Sequence, residues 1–132
     1  MSDVHRSGRL ATADLEGIWL RTDEAVEGIV RAVVGTAKNG LRVSVAAVDG
    51  NVVAYWGTVP VETLYAASPE ARTAVAFTAS YDRPGVNVVL HANLSKGLLI
   101  IASMARFLDG REGVFAREFF RRVEGSTTHS EA

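Results

Sequence analysis

Three histidines, His5, His91 and His129, are the side chains of this sequence whose ordinary titration falls near neutrality. His5 and His129 lie close to the two ends. His91 sits in an alternating run, in phase with Asn87, Val89 and Asn93 and out of phase with Val86, Val88 and Leu90. A His between two Asn on one face of a strand can hydrogen-bond a ligand or transfer a proton, and the same pattern also suits a solvated strand face. Tyr55 and Lys96 add a phenol and an ammonium, so Tyr55, His91, Asn93 and Lys96 form the candidate ligand-binding set. Tyr55 and Trp56 point to opposite faces of one strand, so only one of them belongs to a core.

Other chemistry is excluded by residue type or spacing. The chain has no cysteine, which removes disulfides, thiolate ligation and a thiol nucleophile. It has no His-x-x-x-His pair, no Asp-rich calcium loop and neither standard phosphate-binding glycine loop. A Gly-x-Ser-x-Gly elbow is absent too. No metal site and no catalytic residue is expected. Asp82-Arg83 reads as part of a turn. Arg111, Arg117, Arg121 and Arg122 interleave with Glu112, Glu118 and Glu124, which reads as an ion-paired helix face.

The chain is 132 residues long, 48% hydrophobic and 22% charged, with a formal net charge of −1. That suits one globular domain and argues against a nucleic-acid binder, which would carry a basic excess. The most apolar stretch, Leu98 to Met104, is too short to span a bilayer as a helix. The expectation is a cytoplasmic protein with no nucleic-acid or membrane partner.

Several elements must position these residues. Residues 1–13 read as a flexible arm, 14–124 as one domain and 125–132 as a flexible tail. Val26, Ile29, Val30, Val33, Val34 and Ala37 recur at helical spacing behind a Thr22 cap, and Lys38-Asn39-Gly40 is a helix stop, which predicts a helix over Thr22–Ala37. Leu41–Val48 and Asn51–Val59 flank Asp49-Gly50, a hairpin signal. Val61–Arg72 reads as a second helix. Val86–Leu94 reads as a strand, Thr73–Tyr81 and Leu98–Phe107 as strands with a helix left open as the alternative for each, and Glu112–Val123 as a last helix. The predicted fold is α+β, a five-stranded mainly antiparallel sheet with helices in the order α-ββ-α-βββ-α. A split β-barrel is the alternative.

Leu98–Phe107 is apolar on both alternating faces, so both faces need a cover. Leu99, Ile101, Phe107, Phe119 and Phe120 are therefore candidate interface residues.

The helix Thr22–Ala37 followed by the Gly40–Ala54 hairpin resembles the opening of profilin-like and PAS-like domains, including the roadblock family of regulatory proteins. The roadblock resemblance implies a non-catalytic dimer that uses its sheet or a helix for partner contacts. The same segment, with Ser68-Pro69-Glu70-Ala71-Arg72-Thr73-Ala74, is similar to the haem-binding GlcG/HbpS family. That family's glycine-rich Val-Ser-Gly strand and acidic motif are absent, so no haem-binding residue is carried over.

The leading expectation is a non-catalytic homodimerising module that binds a partner protein or small ligand. The alternatives are a flavin- or haem-binding domain or small enzyme with a pocket on the sheet face, and a structural subunit of a larger assembly.

Overall fold

The computed structural model describes residues 10–24 and 27–124. Its elements are β1 (Gly17–Arg21), β2 (Glu27–Ala37), β3 (Gly40–Asp49), β4 (Val52–Pro60), β5 (Thr63–Ala66), β6 (Ala74–Arg83), β7 (Val86–Ser95), β8 (Leu98–Phe107) and β9 (Val114–Arg122). They form one nine-stranded sheet in the order β4-β3-β2-β1-β9-β8-β7-β6-β5, with every neighbouring pair antiparallel. Among the described residues there is no helix, so none is long and apolar enough to cross a membrane.

This overturns the α+β expectation. The segments read as helices over Thr22–Ala37, Val61–Arg72 and Glu112–Val123 hold β2, β5 and β9 instead. The split barrel with its closing helix falls for the same reason. So does the element order on which the profilin-like, roadblock and GlcG/HbpS resemblances rested.

A β-bulge explains the helix-like spacing in β2. Register slips between Ile29 and Arg31, leaving Val30 as the extra residue. The buried Ile29 and Ala32 are therefore three residues apart, a step that a regular period-two strand lacks and a helix has. The β-branched content of the segment then favours the strand. In β9 the Phe119-Phe120 pair suggested a wide helical stripe, yet Phe120 is fully buried while Phe119 faces outward. Pairing of β9 with both β8 and β1 ties the two ends of the chain into the sheet, which a helix there could not do.

The strands read over Thr73–Tyr81, Val86–Leu94 and Leu98–Phe107, and the hairpin at Asp49-Gly50, coincide with β6, β7, β8 and the β3–β4 connection. Gly50 has φ 68°, and the β7–β8 turn places Lys96 at φ 52° and Gly97 at φ 84°. Both are left-handed conformations of the kind tight hairpins require.

The sheet curls into a barrel. At the β4–β5 junction the Val61 amide donates to the Leu41 carbonyl at 2.9 Å and the next amide, Glu62, donates to the Thr78 carbonyl at 2.8 Å. Successive residues thus pair with β3 and β6, each the second strand in from one end of the strand order. Inside, Trp19, Phe77, Phe120, Leu15, Leu90, Leu99 and Ile101 fill the core. The inner face of β8 is therefore covered by the chain's own strands rather than by a helix.

One mouth is crossed by the segment before β1. The Trp19 indole donates to the Leu15 carbonyl at 2.9 Å, the Arg122 guanidinium lies 4.9 Å from the Trp19 ring centre, and Arg122 also donates to the Asp14 carbonyl. Ala11 is tied to the strand edge through the Arg72 carbonyl and the Ala74 amide, both at 2.8 Å. Of the expected N-terminal arm, residues 10–13 are thus held against the barrel. Residues 1–9 and the expected 125–132 tail lie outside the described residues.

Candidate functional site

The residues singled out from the sequence separate in space. His91 and Asn93 lie on the outer face of β7, opposite the core-facing Val88 and Leu90. Lys96 is in the β7–β8 turn. Tyr55 stands 74% exposed on β4, while Trp56 packs against the core. The fold therefore does not assemble the four-residue pocket expected from Tyr55, His91, Asn93 and Lys96, and Tyr55 lines a different depression.

Of the expected interface residues, Leu99, Ile101 and Phe120 are buried in this chain's own core, so they offer nothing to a partner. Phe107 is half-buried under the Arg111 guanidinium, 4.1 Å from its ring centre. Phe119 alone of the five faces outward with appreciable exposure, at 37%.

Register shows what surrounds Phe119 on the outer wall. Ile100 pairs with Phe119, Ala102 with Arg117, and Met104 with Phe115. Phe115 is 63% and Met104 43% exposed. Along β9 the outward residues run Phe115, Arg117, Phe119, Arg121, an aromatic and a cation in strict alternation about 6.8 Å apart. The Arg117 guanidinium lies 5.0 Å from the Phe119 ring centre. No carboxylate projects from the outer faces of β8 and β9, because Glu118 points inward.

Glu118 meets Arg21 near the second mouth. Arg21 Nη1 donates to the Glu27 and Ile29 carbonyls at 3.1 and 3.0 Å, Nε pairs with Asp23 at 2.9 Å, and Nη1 lies 3.8 Å from Glu118 Oε2. Glu118 Oε1 is buried with no hydrogen-bond partner. Burial pushes this carboxyl above its ordinary value, with Arg21 opposing the rise and Asp23 adding to it. No local spacing brings Arg21 and Glu118 together; the antiparallel pairing of β1 with β9 makes them neighbours. Gly28, at φ 93°, packs on the pair, and a Cβ there would lie 3.1 Å from Glu118 Oε2.

A depression of about 230 Å³ opens on the outer wall of β2, β3 and β4, lined by Arg31, Val33, Ser44, Tyr55, Gly57 and Thr58. Two bulges shape it. Ala46 of β3 pairs with Arg31 on one side and Tyr55 on the other, and each of those strands slips register at that level. Arg31 and Tyr55 therefore rise on either side of a buried alanine methyl, which keeps the floor low. The slip in β4 turns Trp56 inward and needs Gly57 at φ 88°, where a Cβ would meet nothing within 4 Å. The glycine is there for its backbone conformation, not for space.

Among the described residues no three His, Cys, Asp or Glu side chains gather where a metal could bind. Comparison of the chain with protein-family models, curated proteins and solved structures finds no match.

Proposed function

We propose that this chain is a small non-catalytic module that pairs with a second copy of itself through the outer wall of β9, leaving the rest of the barrel surface to bind a partner protein or small ligand. One observation carries the reading: the Phe115, Arg117, Phe119, Arg121 alternation is self-complementary. When two such strands face each other antiparallel about a two-fold axis at position 118, Phe115 stands opposite Arg121 of the second copy and Arg117 opposite its Phe119. Every ring meets a guanidinium and no cation meets a cation head-on. The contact is isologous, as two-fold dimers require.

The Arg117–Phe119 contact within one chain supports the compatibility of the two side chains at this spacing. Such contacts are worth about 0.5–1 kcal/mol when exposed and about 2 kcal/mol when desolvated. Met104, opposite Phe115 on β8 and 43% exposed, extends the apolar area around the row.

Sedimentation equilibrium tests the reading on the wild-type chain and on the Phe115→Ala and Arg117→Glu variants. A wild-type dimer with both variants shifted toward monomer, at unchanged circular dichroism and melting temperature in the monomeric state, is the expected result. A wild type that stays monomeric over the accessible concentrations overturns it, as does a dimer unaffected by either substitution.

A further inference from the structure

The β2–β4 depression has the composition of an anion site, and nothing in the dimer reading uses it. Arg31 forms one wall, and among the described residues it takes part in no ion pair. Ser44 Oγ and Thr58 Oγ1 lie 2.6 Å apart on the wall facing solvent. Two hydroxyls in contact share one hydrogen between them, which leaves the other hydrogen free to donate outward. The Tyr55 ring, 74% exposed, and the Val33 side chain supply an apolar flank.

The depression does not end there. A second hollow of about 200 Å³ shares Val33, Ser44 and Thr58 with the first and reaches Arg42 and Thr36. Arg42 too is free of ion pairs among the described residues. The groove therefore runs along the outer wall with an arginine at each end and paired hydroxyls between them. Arg31 pairs with Ala46, which lies four positions from Arg42 along β3, or roughly 14 Å. A protein of net charge −1 places both cations on one wall with no ion pair to either among the described residues, while two bulges and a positive-φ glycine keep the floor open. Bulges of this kind re-aim side chains beside binding sites.

We propose that this groove binds a small organic anion, with its carboxylate or phosphate on Arg31 and the Ser44–Thr58 hydroxyls and its body against Tyr55 and Val33. Guanidinium and hydroxyl donors recognise both headgroups, and charge-assisted hydrogen bonds of this type contribute enough to make Arg31 decisive. The exposed phenol ring selects for a flat or aliphatic body over a bare inorganic ion.

Calorimetric titration of the full chain with phenyl phosphate, benzoate, inorganic phosphate and uncharged benzyl alcohol tests the site. Phenyl phosphate and benzoate separate the two headgroup chemistries, and both are expected to bind more tightly than inorganic phosphate, with benzyl alcohol not binding. Arg31→Gln is expected to weaken both organic anions by about tenfold or more. Tyr55→Ala is expected to weaken them severalfold while leaving inorganic phosphate unchanged. Both side chains are exposed, so the variants should keep the wild-type melting temperature. Failure of both organic anions to bind overturns the proposal, as does wild-type affinity in Arg31→Gln or equal binding of benzyl alcohol. Arg117→Glu carries the groove unaltered. Retained anion binding in that variant separates the fate of this site from that of the dimer.

Discussion

The Tyr81 hydroxyl lies 2.9 Å from the Gly57 carbonyl oxygen and 3.1 Å from that of Val43, reaching from β6 to β4 and β3 across the seam where the sheet closes. Its ring meets Trp56 edge-on, with centres 5.3 Å apart at 70°. The bulge that opens the β2–β4 groove on the outside is thus fixed from the inside, because Trp56 and Gly57 both rest on Tyr81. Tyr81→Phe keeps the ring contact and removes the hydroxyl's hydrogen bonds to the Gly57 and Val43 carbonyls. It should cost about 1–2 kcal/mol in urea denaturation. A variant as stable as wild type would show that the seam is held by packing alone.

Burial also raises the Tyr81 phenol to about 12, against an ordinary value of 10.0, with the Val45 backbone contact pulling the other way. An acid with a raised folded-state pKa contributes stability that is complete below the unfolded value and is lost as pH rises through the folded one. Ultraviolet titration should show a tyrosine that stays protonated near pH 11 and ionises at about pH 12 or on alkaline unfolding, and Tyr81→Phe should abolish that late step.

Glu118 obeys the same sign. Its carboxyl sits above the ordinary 4.5, chiefly through burial, so the folded state holds this proton more tightly than the unfolded chain does. That stabilisation is complete below about pH 4.5 and disappears as pH rises through the folded value. Glu118→Gln should therefore melt a few degrees above wild type at neutral pH, with the gap closing toward pH 4. A gap that stays constant over this range would mean that ionisation of Glu118 is not its source.

Gly28→Ala tests the packing against the same carboxyl. The substitution forces a Cβ to within 3.1 Å of Glu118 Oε2 and 3.2 Å of Arg21 Nη1 at φ 93°. A loss of about 1–3 kcal/mol is expected from the backbone conformation alone, measured by chemical denaturation. A cost below about 0.5 kcal/mol would place Gly28 among ordinary tolerant surface sites.

Local chemistry made several elements legible without a structure. Asp49-Gly50 and Lys96-Gly97 supply the left-handed residues that tight hairpins need, and the run now seen as β7 alternates cleanly. Where alternation was broken, the sequence misled. In β2 the extra Val30 sets two inward residues three apart, and a bulge then has the spacing of a helix. In β9 the row Phe115, Arg117, Phe119, Arg121 was present to be read at period two, but the adjacent Phe119-Phe120 also fitted a helical stripe.

The sequence by itself determined the turns, the absence of thiol chemistry and the apolar character of both faces of β8, because these depend on residue type and nearest neighbours. Tertiary structure alone decided which face was inside. The curl of the sheet buried Leu99, Ile101 and Phe120 and left Phe119 and Phe115 outside, and the pairing of β1 with β9 brought Arg21 to Glu118. The pairing of β3 with β2 and β4 sets two bulges on either side of Ala46, so that Arg31 and Tyr55 flank one groove. The β1–β9 contact joins strands distant in sequence, and the two bulges interrupt the alternation of their strands. Their register is fixed by pairing across the whole sheet, which no local spacing encodes.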